Sequence, residues 1–308
     1  MTLAGSSALP RRRIDGVLLL DKPAGLSSNA ALQRAKRLYQ ADKAGHTGTL
    51  DPLATGLLPI CFGDATKFAH ALLDADKTYI AVLRLGMTTT TGDAEGEVVQ
   101  TLPVTSSRDD VEAVLRRFLG CIAQVPPRYA ALKRDGRSYY EYARQGIEIV
   151  RHPRPVEIHE LALLAWRETE LELRVRCGKG TYIRALAEDI GVALGCGAHL
   201  SALARTASGN FTLDDALTLE ALEQRPLVAR DAALLPVDAL VTALARLDLD
   251  RGDAARLANG QSLTQAGVGD GMVRVYAAGI FAGVATVAGG VLRAQRLVAQ
   301  AATHSGGA

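Results

Sequence analysis

The chain has 308 residues, 48% of them hydrophobic, and a net charge of only +2. That length fits about two domains with a substantial core. No apolar run approaches the ~20 residues of a membrane helix, and no secretory h-region follows the opening "MTLAGSSALPRRR". The expectation is a soluble, cytoplasmic protein with a disordered start over 1–12. Cys61, Cys121, Cys177 and Cys196 are widely spaced with no CxxC, so they read as small buried hydrophobes, not metal ligands.

Taken in chain order, "IDGVLLLD" (14–21) reads as a first strand and "KPAGLSS" (22–28) as a turn. Ser27 or Ser28 then caps a helix with Leu32, Ala35 and Leu38 at helical spacing. "GHTGTLDPLATG" (45–56) is too rich in glycine for a helix interior and too irregular for a strand. It reads as a shaped loop around His46 and Asp51. "TYIAVLRLG" (78–86) is a strand, and "TTTTGDAEGEVV" a loop returning into another.

"SRDDVEAVLRRFL" (107–119) carries a capping pair, Ser107 and Asp110, and an apolar stripe of Val111, Val114, Leu115 and Phe118. "TELELRVRC" (169–177) alternates like a half-exposed strand. "TYIRALAEDIGVALG" follows as a helix with Ile183, Leu186 and Ile190 inward. Residues 213–250 look helix-rich and acidic. Beyond about 250, short strands separated by glycine turns suggest a small all-β module. Strands and helices do not alternate regularly, which favours an α+β fold.

Three stretches could carry chemistry. Asp51 fits either a loop carboxylate bonding nearby amides or a nucleophile or base on a rigid loop. Residues 128–154 hold seven arginines and lysines and half of the eight tyrosines. That mixture suits a solvated loop or RNA, with arginines for phosphates and tyrosines for unstacked bases. Arg184 lies in the first turn of its helix, where a cation meets the unfavourable end of the dipole, so it reads either as an outward arginine in water or as one held against an active-site carboxylate. An unrelated aspartate-nucleophile hydrolase is a further reading, and it would not need the basic, tyrosine-rich stretch.

Together, "LLLDKPAGLSSN", "GHTGTLDPLATGLLPICFGDATKF", "DKTYIAVLRLG", "AALKRDGRSYYEYARQG" and "CGKGTYIRALAEDIG" resemble the bacterial tRNA pseudouridine-55 synthases of the TruB type. The resemblance runs from about 14 to 212 and more loosely to the end. It implies a mixed, mainly antiparallel sheet flanked by helices over 13–246. It also implies an RNA-binding insertion near 127–155, a PUA-like RNA-binding domain at 247–303 and a flexible tail at 304–308. It implies a cofactor-free isomerase of the T-loop uridine of tRNA. No acid or second His lies at ligand spacing from Asp51, and no heptads or exposed apolar stripe appear, so a metal-free monomer without membrane association is expected. An RNA chaperone that flips and refolds the T-loop without chemistry is a second reading, and both can be true.

Residue by residue, the resemblance implies Asp51 as the catalytic aspartate, Tyr79 as the stacking and proton-transfer residue, and Arg184 as the partner of Asp51. Leu203 would pack in the pocket, and His46 would fill the space left by the flipped nucleotide. Lys22 and Tyr182 would support substrate binding. Lys133, Arg137, Tyr140 and Arg144 would grip RNA from the insertion. Where the family pattern reads "LRRT", this chain has "LART", with Ala204 in place of an arginine.

Overall fold

The computed structural model describes residues 11–130, 132–265 and 267–299. Most of the expected disordered start and all of the expected tail lie outside the described residues. The first strand, Gly16–Lys22, is apolar on both faces. Leu18 and Leu20 enter one core while Val17 and Leu19 enter another. The two-residue period of a strand thus feeds two layers at once.

That strand belongs to a ten-stranded sheet. Its main path runs Leu217–Thr218, Gly16–Lys22, Thr55–Phe62, Ala198–Ser208, Lys77–Leu85, Glu170–Cys177, Arg154–Arg167 and Gly120–Gln124. Only the first pair and the pairing of Thr55–Phe62 with Ala198–Ser208 are parallel. The fold is therefore α+β with a mainly antiparallel sheet, as expected. Helices Arg108–Arg117 and Ile183–Ala193 cover one part of it through Val111, Val114, Leu115, Ile183, Leu186 and Ile190. Helices Ser28–Leu38 and Leu219–Gln224 cover another through Ala31, Leu32, Ala35, Leu219 and Leu222.

Local signals set the helix ends. Ser107 accepts from the Asp110 amide, and the Asp110 carboxylate accepts in return from the Ser107 amide. Ser27, not Ser28, caps the first helix. Two expectations need correction. The ends of the 45–56 stretch are strands, Ala44–His46 and Thr55–Phe62, and only the middle is loop. Cys121 is exposed, because it sits on the edge strand Gly120–Gln124, whose alternate residues face solvent.

The basic insertion leaves and re-enters the sheet on one rung, where Arg154 faces Gln124. Within it, Lys133–Arg134 and Arg137–Ser138 form a hairpin, and Tyr139–Arg144 a short helix. Asp135 and Gly136 make the hairpin turn with φ of 51° and 80°.

The C-terminal sheet runs Ala245–Leu249, Gly271–Ala277, Ile280–Ala288, Val291–Leu297 and Leu263–Thr264. It also contains one helix, Arg251–Ala258, capped by Asp250, which the expected all-β pattern did not include. Phe281 bridges this sheet to the main one. Its ring lies 5.3 Å from Phe68 and 5.6 Å from Tyr276, both edge-on. Lys67 Nζ donates to Leu297 O at 2.9 Å, and the Tyr276 hydroxyl donates to Asp238 at 2.5 Å.

Candidate active site

The Asp51 loop is tied down by residues other than Asp51. Ser28 Oγ donates to Leu50 O at 2.9 Å and accepts from Leu50 N at 2.7 Å. Gly25 N donates to Pro52 O at 2.8 Å. Arg205, 1% exposed, donates through Nε to Leu57 O at 2.7 Å and through Nη2 to Gly48 O at 3.1 Å. Gly56 lets this contact form: a Cβ there would sit 2.4 Å from Arg205 O. Among the described residues no loop amide donates to the Asp51 carboxylate, so the loop does not depend on it.

The carboxylate points at Arg184 instead. Arg184 Nε lies 3.0 Å from Asp51 Oδ2 and 3.5 Å from Asp93 Oδ2. Nη1 donates to Thr91 O at 3.1 Å and Nη2 to Tyr129 O at 2.7 Å. The Arg184 side chain is 7% exposed and that of Asp93 5%, while that of Asp51 is 44% exposed and open to a substrate. Asp93 is held by Thr91 Oγ1 at 2.5 Å and by the Glu95 amide at 3.1 Å. One buried guanidinium thus orients two carboxylates and two separate loops.

Burial pushes the Asp51 carboxyl up from its ordinary value. Arg184 pulls it down, Asp93 pushes it up, and Lys22 pulls it down more weakly. Arg184 therefore offsets the burial of Asp51 without reversing it, whereas the ion pair by itself would lower the value. Burial likewise raises the Tyr79 phenol, so that ring is neutral at ordinary pH.

Asp51, Tyr79, Tyr182, Arg184 and Leu203 line one cavity of about 130 Å³ with Tyr129, Thr49, Leu50, Ala130, Thr181 and Ile183. A hole of ~150 Å³ holds a benzene ring, so the space suits one planar base. Tyr79 and Leu203 each pack against both major cores, which puts the cavity at the seam between them. Arg205 faces Tyr79 across the ladder, and irregular pairings between Leu200 and Ala202 and between Arg205 and Ala207 flank the stretch. Such irregularities redirect side chains beside sites.

Other expected residues lie apart from the cavity. Lys22 is fully buried and donates to Pro23 O at 2.9 Å and Leu26 O at 2.7 Å. It fixes the turn beneath the loop, its charge is felt by Asp51, and burial pulls its ammonium down to about 8. His46 ends its short strand opposite Ile60, with a buried Nδ1 that has no partner among the described residues. Arg137 and Arg144 are exposed in the insertion, and Arg144 stacks over the Tyr140 ring at 4.6 Å. The Lys133 side chain lies outside the described atoms.

Sequence reading missed Asp93, Arg205, Gln124, Ser28 as a loop anchor, and Tyr129 as an acceptor for Arg184. Asp93 had a visible signal, a carboxylate set among threonines and glycine like Asp51. Arg205 also had one, the only arginine of a strand with no lysine or carboxylate. Ser28→Ala should strand the Leu50 amide and carbonyl. The expected cost is about 1–3 kcal/mol, measured by denaturant unfolding, with the fold retained.

Comparison with known proteins places this geometry. Residues 36–183 match the TruB family pseudouridylate synthase N-terminal domain. Residues 184–249 match the tRNA pseudouridylate synthase B C-terminal domain, and 245–298 match the pseudouridine synthase II TruB C-terminal domain. The chain belongs to the TruB family of pseudouridylate synthases. Among its TruB relatives, the tRNA pseudouridine synthase B of Azoarcus sp. (strain BH72) is 57% identical over 291 residues, covering 94% of this chain and 97% of that one. That of Burkholderia lata is also 57% identical, covering 98% and 96%. A solved Cbf5–Nop10–Gar1 complex is 25% identical with a TM-score of 0.70, over 92% of this chain and 84% of that one. An H/ACA ribonucleoprotein bound to a substrate RNA containing 2'-deoxyuridine gives 25% identity and a TM-score of 0.69, over the same shares. In this TruB chain the first matched segment ends at Ile183 and the second begins at Arg184, so the cavity is built across their junction.

Proposed function

We propose that this protein isomerises a uridine of tRNA to pseudouridine, at position 55 of the T-loop. The observation that carries the reading is the Asp51–Arg184 pair at 3.0 Å on the wall of a base-sized cavity. A base stacked in RNA is out of reach, so the target nucleotide flips out, at a cost of a few kcal/mol. Stacking on Tyr79 returns ~1–3 kcal/mol. His46 refills the gap from the RNA side.

The ionised Asp51 acts at the flipped nucleotide while Arg184 holds its orientation. The bond between N1 and the sugar C1' breaks, and the uracil turns in the cavity. A bond between C5 and C1' forms, C5 gives up its proton, and N1 ends protonated. Atoms and charge balance without a cofactor or a metal. Leu203 and Tyr182 limit the space in which the base turns.

The chemical unit spans 13–246, and the 127–155 insertion grips RNA through Lys133, Arg137, Tyr140 and Arg144. The 247–303 module adds RNA contact. One copy supplies every named cavity residue, which supports a monomer, and work on tRNA is cytoplasmic. Tritium release from tRNA carrying C5-labelled uridine tests the function. Release from wild-type tRNA, with none when position 55 is cytidine, is the expected result.

The insertion has its own test. Replacing Arg137 and Arg144 together with Ala should weaken tRNA binding uniformly across sequences. It should also reduce the slope of log affinity against log salt by about 1 for each lost phosphate contact. Binding titrations at three salt concentrations measure both.

A further inference from the structure

Gln124 ends the edge strand Gly120–Gln124, on the rung from which the insertion departs. The residue is buried, 1% exposed. Oε1 accepts from Tyr182 N at 2.8 Å, and Nε2 donates to Tyr182 O at 3.0 Å. One side-chain amide thus satisfies both backbone groups of a single residue, as a neighbouring strand would.

Tyr182 is the N-cap of the helix Ile183–Ala193, and its own side chain makes no capping bond. Arg184 follows two residues later. The helix end that presents Arg184 is therefore located by Gln124, which lies 58 positions from Tyr182 and among the described residues makes no hydrogen bond to Asp51 or Arg184. Gln124 also stands two residues before Pro126, whose carbonyl accepts from Arg151 Nη1 at 2.9 Å on the returning arm of the insertion.

We propose that Gln124 is a positioning residue for the isomerisation, fixing the Tyr182 backbone so that Arg184 meets Asp51 and linking that geometry to the root of the RNA-gripping insertion. The inference rests on the function proposed above. A misplacement of about 1 Å in a reacting site costs up to ~10²-fold in rate. An apolar side chain of similar size removes both contacts and leaves the packing.

The test compares wild type, Gln124→Leu and Gln124→Glu in single-turnover tritium release, with tRNA affinity and thermal melting measured in parallel. Gln124→Leu should slow the chemical step about 10- to 100-fold while tRNA affinity stays within about 2-fold. Gln124→Glu keeps the acceptor for Tyr182 N and should fall between the two.

The pH profile separates positioning from a merely structural role. The groups facing the Asp51 carboxylate are Arg184, Asp93, Lys22, Glu95, Tyr79 and Tyr182, and the largest downward pull comes from Arg184. If Gln124→Leu displaces Arg184, the acid limb of the rate moves to higher pH. A rate within about 2-fold of wild type overturns the proposal. So does a loss of rate that matches the loss of folded protein, with the acid limb unmoved. If Gln124→Leu does not fold, Gln124→Glu is read by the same criteria. A wild-type chain that releases no tritium overturns the parent function instead.

Discussion

Asp51→Asn should abolish pseudouridine formation and leave the protein folded. The loop around Asp51 is held by Ser28, Gly25 and Arg205, so the substitution removes none of its anchors. Asp93 stays 3.5 Å from Arg184, so the buried guanidinium keeps a counter-ion. The expected loss is about 10⁴-fold or more, the upper range for a positioned acid–base group. Tritium release measures it, and release equal to wild type would remove Asp51 from the chemistry. If the protein also refolds tRNA, that activity should survive in the same variant.

The pH behaviour follows from the same carboxyl. Its folded-state value is raised above 3.8, chiefly by burial. The wild-type rate should therefore begin to fall at a higher pH than a free aspartate would dictate. The stability sign is the opposite. A raised folded value means the fold binds that proton more tightly than the unfolded chain does. This contribution to stability is fully present below 3.8 and is lost as pH rises through the folded value. At neutral pH the fold tolerates the charge that the reaction needs, and Asp51→Asn should not lower the melting temperature.

Arg184→Met should cost both activity and stability. Methionine fills much of the volume but leaves Asp93, whose side chain is 5% exposed, without its cation. It also frees the carbonyls of Thr91 and Tyr129. Breaking a buried pair in this way costs ~3–5 kcal/mol. Denaturant unfolding should show a loss of that order, and single-turnover rates should fall with it. Arg184→Lys retains the charge but has one nitrogen where three are used, so it should recover part of the stability and little of the rate. If Arg184→Met proved as stable as wild type, the ion-pair account of the site would fail.

What was legible in the sequence depended on distance along the chain. The helix Arg108–Arg117 was readable because its capping pair, Ser107 and Asp110, is three residues apart. The strand Glu170–Cys177 was readable because alternation is a nearest-neighbour signal. Asp51 and Arg184 were singled out by local oddity, a carboxylate among glycines and a cation at the wrong helix end. Arg205 and Gln124 were not, because their partners lie 148 and 58 positions away and only the folded sheet brings them together. The burial of Lys22 was hidden for a related reason. A lysine beside a turn looks available to a ligand until the fold buries it against Pro23 and Leu26 carbonyls.

The shared rung between Gln124 and Arg154 sets what the insertion is free to become. A segment that leaves and rejoins a sheet at one rung adds no register constraint, whatever its length. The entropy of closing it grows only as the logarithm of its length. The ladder that carries the cavity therefore does not sense how long the insertion is or how it is built. Beyond Tyr129 and Ala130, which line the cavity, its hairpin and its short helix can be lengthened, shortened or exchanged as a cassette, and the catalytic sheet keeps its register through every version.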